Sequence, residues 1–123
     1  MQNLYENTLT NFWGYLPTFE GAKVYSFDYD DYDTNKQLEI ILFDIKERPN
    51  AKDIEYNKFL MRVCLRFCGA TLHCVNLDKD SQIIKFDIDF ENNTLHIITN
   101  TNYEIKATFQ TLQDVTIKKN GWF

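Results

Sequence analysis

The hydrophobic pattern of this chain changes its period at Pro17. Over Asn3–Phe12 the apolar residues recur at the spacing of one helical face, which predicts a short helix that Gly14 ends. After Pro17 apolar and polar residues alternate instead, most regularly over Ile84–Phe90. Such alternation is typical of a strand with one face in the core and the other in water. The chain therefore reads as one helix followed by strands.

Similar runs recur along the chain, and clusters of turn-forming residues separate them. Leu38–Ile45 is apolar on both faces, which favours a central strand, and the longer polar link Lys46–Lys58 could carry one helical turn. We predict a mainly β fold: an antiparallel meander of about eight strands, as a sandwich or a strongly curved sheet, with a short N-terminal helix. One domain covers residues 1–123. The predicted strands are Lys23–Tyr29, Leu38–Ile45, Met61–Phe67, Leu72–Leu77, Gln82–Phe90, Thr94–Thr99, Tyr103–Gln110 and Val115–Lys118.

Composition narrows the class of partner. The 123 residues are 44% apolar and carry a formal net charge of -5, so the chain suits a basic protein partner better than nucleic acid. The first residues lack a secretory signal pattern, and no apolar run approaches the ~18 residues that a membrane span requires. We expect a soluble, cytoplasmic protein that binds neither nucleic acid nor membrane.

The densest charge in the chain is the acidic stretch DYDDYDTN, which begins at Asp28. Read as a calcium loop, it has Tyr32 and Asp33 where a ligand and the glycine belong, which argues against calcium. Water would keep carboxylates at a turn ionised, so a hydrolytic carboxylate pair is not expected. Two interpretations stay open: a solvated hairpin tip, or a surface that docks a basic protein. The candidate partner-binding residues are Tyr25, Asp28, Tyr29, Asp30, Asp31, Tyr32 and Asp33.

Residues that could carry chemistry elsewhere form no recognisable motif. The chain has no glycine-rich phosphate loop, no nucleophile elbow and no zinc-protease motif. His73 and His96 fall within predicted strands, and the three cysteines lack zinc-knuckle spacing, so we expect buried free thiols. We predict no catalytic residue, no metal and no cofactor.

Three short segments resemble a known family. The segment Leu16–Val24, which follows Phe12 and Trp13, resembles the W-P-S-F-H-D-A-E-V motif of the immunity protein 50 family of bacterial polymorphic toxin systems. Val63–Ala70 is similar to the L-R-F-x-G-V stretch of that family, and Asn102–Glu104 stands where the family has S-Y-G. The apolar frame of the first motif is kept, while its polar positions differ.

This resemblance implies a cytoplasmic, non-enzymatic immunity protein that binds and neutralises a cognate toxin. The charge pattern of the chain makes the acidic and aromatic surface the candidate binding site. The alternative is a module that binds a small ligand or has a structural role, without a toxin partner. In that interpretation a curved sheet encloses an aromatic pocket built from residues such as Phe27, Phe43 and Phe86.

Overall fold

The computed structural model describes residues 3–30, 36–49, 61–76 and 80–118 of the chain. One helix and eight strands follow one another in the order that the sequence pattern predicted. They are α1 (Leu4–Trp13), β1 (Lys23–Asp30), β2 (Gln37–Phe43), β3 (Arg62–Cys68), β4 (Thr71–Val75), β5 (Ile83–Asp89), β6 (Thr94–Thr99), β7 (Glu104–Thr108) and β8 (Thr111–Lys118). The one helical turn predicted within Lys46–Lys58 falls largely outside the described residues.

The strands form two antiparallel four-stranded sheets, which confirms the predicted fold class. The first sheet has the order β1-β2-β3-β8 and the second has the order β4-β7-β6-β5. The predicted central strand, β2, lies between β1 and β3. The chain passes from the first sheet to the second after β3 and returns after β7, and the amide of Gln110 joins the two crossings by donating to the carbonyl of Cys68 at 3.0 Å.

Both sheets and the helix contribute to one hydrophobic core. Phe67 of the first sheet packs its ring 4.8 Å from that of Phe109, which follows β7 of the second. In strands whose alternation is regular, every second residue is buried: Leu38, Ile40 and Leu42 in β2, and Leu95 and Ile97 in β6. Burial of these side chains, at roughly 1.5–3 kcal/mol each, is the main force that holds the sheets together.

Each of the four edge strands (β1, β8, β4 and β5) carries a β-bulge, where one extra residue interrupts the register. The extra residues are Tyr25 in β1, His73 in β4, Ile84 in β5 and Gln113 in β8, and all four are exposed. A bulge turns the following side chains to the other face, so the simple alternation over Ile84–Phe90 fails at its first residue. Ile83 takes the core position, and Ile84 is 51% exposed. Bulges also discourage pairing with other chains at a sheet edge.

The segment between α1 and β1 is held in place by the buried rings of Trp13 and Phe19 and by the carboxylate of Glu47. The helix starts at the Asn3 cap and ends at Gly14, whose left-handed backbone (φ 83°) suits glycine. Trp13 and Phe19 are fully buried, and the Trp13 indole donates to the Glu47 carbonyl at 2.8 Å. The Glu47 carboxylate accepts from the amides of Thr18 and Phe19 at 2.7–3.0 Å. These contacts fix the chain between α1 and β1 against the residues that follow β2.

Candidate functional site

The structure describes four of the seven predicted partner-binding residues, all of them in β1. Asp31, Tyr32 and Asp33 lie outside the described residues. Asp28 and Asp30 are exposed and alternate with Tyr29, whose ring packs against the core. The Tyr29 hydroxyl donates to the carbonyl of Ala70 at 2.9 Å, so this side chain stabilises the fold.

Tyr25 lies on the other face of the sheet from Tyr29. Regular alternation would place the two tyrosines together, but the bulge between Val24 and Ser26 turns Tyr25 outward, where it is 53% exposed. The predicted acidic and aromatic surface is therefore divided. Asp28 and Asp30 share the outward side of the strand with Tyr25 and not with Tyr29.

Register pairing extends this surface over the whole first sheet. We call the solvent-facing side of β1, β2, β3 and β8 the outer face. Its residues form four rows across the strands: Asp30, Gln37, Cys68 and Thr111; Asp28, Glu39, Arg66 and Asp114; Ser26, Ile41, Cys64 and Thr116; and Tyr25 with Lys23, Phe43, Arg62 and Lys118.

One end of the outer face is acidic. Asp28, Glu39 and Asp114 stand in one row with Arg66, and Asp30 lies in the next. Glu39 accepts from the Arg66 guanidinium at 3.1 and 3.3 Å, so one carboxylate of the row is neutralised within the protein. Among the described residues of the row, Asp28 and Asp114 add two further carboxylates, and the sequence continues from Asp30 into the rest of the acidic stretch.

The opposite end holds an arginine stacked against two aromatic rings. The Arg62 guanidinium carbon lies 4.8 Å from the ring centroid of Tyr25 and 5.0 Å from that of Phe43. The two rings meet edge to face, with centroids 5.5 Å apart. Such contacts hold a cation against ring faces while it stays partly exposed. Lys118 pairs with Arg62 in the register, which adds positive charge to this end.

Beside this stack a buried carboxylate takes a strained backbone conformation. Asp44 follows β2 with a φ of 52° and is 7% exposed. Its Oδ2 lies 2.8 Å from the Lys46 ammonium and 4.0 Å from that of Lys23. Among the described residues around Asp44, two lysines stand against one carboxylate, which leaves positive charge in excess there.

The middle of the outer face is neutral. Ile41 and Cys64 are only 8% and 7% exposed, although the register places them on the outer face. Burial, followed by the charge of Glu39, raises the pKa of the Cys64 thiol to about 11, so this thiol is a weak nucleophile. Cys64 is buried as predicted, whereas Cys68 and Cys74 are half-buried; all three thiols are free.

The second sheet brings together residues that no sequence motif connects. On its solvent-facing side the His96 Nε2 lies 2.9 Å from the Glu104 Oε2, and the Glu104 Oε1 lies 3.9 Å from both the Cys74 Sγ and the Lys106 Nζ. The hydrogen bond from His96, and then the Lys106 charge, lowers the pKa of Glu104. The carboxylate stands between thiol and imidazole, whereas nucleophilic catalysis places the imidazole next to the nucleophile. These contacts form through strand pairing, so sequence spacing could not reveal them.

Two shallow grooves accompany these surfaces. A groove of about 290 Å³ lies over β7 between His73 and His96, and another of about 250 Å³ lies beside the N-terminus of α1, lined by Leu4, Tyr5 and Phe90 among others. The aromatic pocket predicted from Phe27, Phe43 and Phe86 is not formed by those residues. Phe43 contacts Tyr25 on the outer face, whereas Phe86 packs against Phe19 in the interior. That prediction was wrong because the two rings belong to different sheets, and Phe43 lies on the outer face of its sheet while Phe86 points into the core.

Within the described part of the chain, no group of three or more histidine, cysteine, aspartate or glutamate side chains is arranged to hold a metal ion. The described helix is too short and too polar to cross a membrane. Comparisons with protein-family models, with curated proteins and with solved structures found no match.

Proposed function

We propose that this protein is an immunity protein that binds a bacterial toxin domain through the outer face and thereby neutralises it. The observation that carries the proposal is the row of carboxylates formed by Asp28, Glu39 and Asp114, with Asp30 beside it. Three separate strands contribute to this row, so the sheet presents negative charge as a rigid, preformed surface.

A basic toxin surface is the complement of that row. Opposite charge on two partners speeds their encounter, and the net charge of -5 extends the attraction beyond the contact itself. The stack of Tyr25, Arg62 and Phe43 can supply binding energy at the contact itself, because tyrosine and arginine are enriched at binding hot spots. Charge thus supports rapid association, and the stack supports slow dissociation.

The family resemblance supports this proposal through the fold. The apolar positions that the first motif shares with the family are Pro17, Phe19, Ala22 and Val24, and all four are buried. A motif carried by core residues argues for a common fold, which immunity proteins then adapt to different toxins at their surfaces. The positions where the chain departs from the motif include Glu20, which is exposed.

We expect a neighbouring gene to encode a toxin domain, and the test is protection from that domain. Co-expression of the full chain should restore growth of cells that produce that domain, and the purified proteins should bind. Replacing Asp28 and Asp30 with asparagine should slow association several-fold at low salt and less at high salt. Tyr25→Ala should speed dissociation about 30-fold, as expected for a hot spot worth about 2 kcal/mol.

A matched control removes the same charge from the other sheet. Asp87→Asn with Glu91→Gln changes two exposed carboxylates away from the outer face and should leave the association rate nearly unchanged. Failure of the chain to restore growth would refute the proposed function. Restored growth with equal association rates for both double variants would place the binding surface elsewhere.

A further inference from the structure

The outer face has two halves of opposite charge, and this polarity bears on self-association. Among the described residues, the carboxylates of Asp28, Glu39 and Asp114 outnumber the guanidinium of Arg66 in one row. At the other end of the described sheet, Lys23, Lys46 and Lys118 outnumber the carboxylate of Asp44. Between the halves lies the neutral row of Ile41 and Cys64. A surface of this kind can complement a second copy of itself.

We infer that two copies of this chain associate through their outer faces, related by a two-fold axis that crosses the strands at the row of Cys64. Rotation about that axis lays the acidic half of each copy over the basic half of the other. A two-fold axis along the strands would instead stack acid on acid and base on base, which is repulsive. On β3 the rotation about the axis at Cys64 lays Arg66 over the Arg62 of the other copy, so the opposite charges brought together on β1 and β8 are what favours this arrangement.

On β8 an acidic and a basic side chain lie at equal distances on either side of the proposed axis. Asp114 and Lys118 lie two residues before and after Thr116, which pairs with Cys64 in the register. Rotation about an axis at Thr116 therefore brings the Asp114 of each copy over the Lys118 of the other. Both side chains are exposed, so neither must leave a buried site to make the contact. The same rotation brings Asp28 over the end of β1 that holds Lys23 and Tyr25.

The size of the face determines how strong such a dimer can be. Four strands at ~4.8 Å spacing and seven residues at ~3.3 Å rise give a surface of roughly 15 by 20 Å between backbone axes. With side chains included, two such faces would bury roughly 1,000 Å² in total, the lower limit for a specific interface. We therefore expect a weak, salt-sensitive dimer, with a dissociation constant on the order of 100 µM. A toxin bound more tightly would displace the second copy.

Substitutions that reverse a charge on β8 test this arrangement without any toxin. Sedimentation equilibrium of the full chain, from about 10 µM to about 1 mM at low salt, should show monomers and dimers. Asp114→Lys places like charges at both symmetric contacts, and so does Lys118→Glu. Each variant alone should raise the dissociation constant about tenfold or more. An equimolar mixture of the two variants should restore association, because both contacts between positions 114 and 118 in the mixed pair again join opposite charges.

Two controls make the outcome decisive. Asp87→Lys and Lys85→Glu make the same changes in net charge on exposed positions of the second sheet and should leave the association unchanged. Circular dichroism checks that each variant is folded. A chain that stays monomeric at about 1 mM overturns the inference. So does a dimer that ignores the β8 changes, or a mixture that fails to restore association. The proposed function stands or falls separately, on the growth assay.

Discussion

Truncation of Phe19 to alanine tests whether the N-terminal motif serves the core. The ring is fully buried and lies edge to face against two others, with centroid distances of 6.1 Å to Trp13 and 5.3 Å to Phe86. Truncating a buried phenylalanine to alanine costs about 3–5 kcal/mol. Each ring pair adds about 0.5–1.5 kcal/mol beyond the buried area, so we expect the upper half of that range. This is a large part of the about 5–15 kcal/mol that stabilises an ordinary domain.

The backbone of Phe19 allows a sharper version of the test. Its φ of 60° is left-handed, which costs a residue with a side chain roughly 1–2 kcal/mol. Glycine avoids this strain but loses about 0.5–1 kcal/mol through the flexibility of the unfolded chain. Phe19→Gly should therefore be at least as stable as Phe19→Ala. At Phe67, a fully buried position within β3, glycine should be less stable than alanine by about 0.5–1 kcal/mol.

Urea denaturation followed by tryptophan fluorescence or circular dichroism measures these differences. The midpoint should fall while the slope with denaturant stays constant, because the fold and its exposed area on unfolding are unchanged. For a 123-residue chain each kcal/mol corresponds to a Tm shift of roughly 4 °C, so Phe19→Ala should lower Tm by roughly 15–20 °C. A loss below about 1 kcal/mol would refute the buried position of the ring. A glycine variant much less stable than the alanine variant would refute the left-handed backbone.

Two substitutions and one labelling experiment probe single residues. Glu47→Gln should lower the free energy of unfolding by about 1–3 kcal/mol, because a neutral amide accepts weaker hydrogen bonds from the Thr18 and Phe19 amides than the carboxylate does. An unchanged urea midpoint would contradict these hydrogen bonds. The hydrogen bond from His96 keeps the pKa of Glu104 below 4.5, so its stabilising contribution is present above pH 4.5 and is lost as the pH falls through the lowered value. Urea midpoints should therefore fall more between pH 5 and pH 3 in the wild type than in Glu104→Gln, and parallel curves would refute the pairing. Cys64 should react with iodoacetamide at pH 8 much more slowly than Cys68, as mass spectrometry of labelled peptides can measure; equal rates would show that Cys64 is exposed.

Local patterns were enough to identify the elements of this fold. Strand and helix periods are properties of the backbone, so runs such as Leu38–Ile45 and Thr94–Thr99 could be assigned from the residues alone. Turn-forming residues and the left-handed Gly14 marked where elements end, because few residues adopt those conformations at low cost.

Local sequence patterns could not predict which way the side chains point near the ends of the strands. A bulge depends on how a strand's hydrogen bonds meet those of its neighbour, so the alternation of β1 and β5 gave no sign of it. For this reason the sequence placed Tyr25 beside Tyr29, and Ile84 in the core. The structure places Tyr25 and Ile84 outward, and it leaves Tyr29 packed inward.

The chain by itself determined that this is a mainly β domain with one helix and a strongly acidic stretch, since period and composition can be read residue by residue. Only the tertiary structure decided which other residues lie beside the acidic ones on the surface. Asp28, Glu39, Arg66 and Asp114 are far apart along the chain and become one row through antiparallel register. The pairing of His96 with Glu104 arises in the same way in the second sheet. Which strands become neighbours depends on long-range burial and hydrogen bonding, and the charge pattern of the outer face exists only once those neighbours have met.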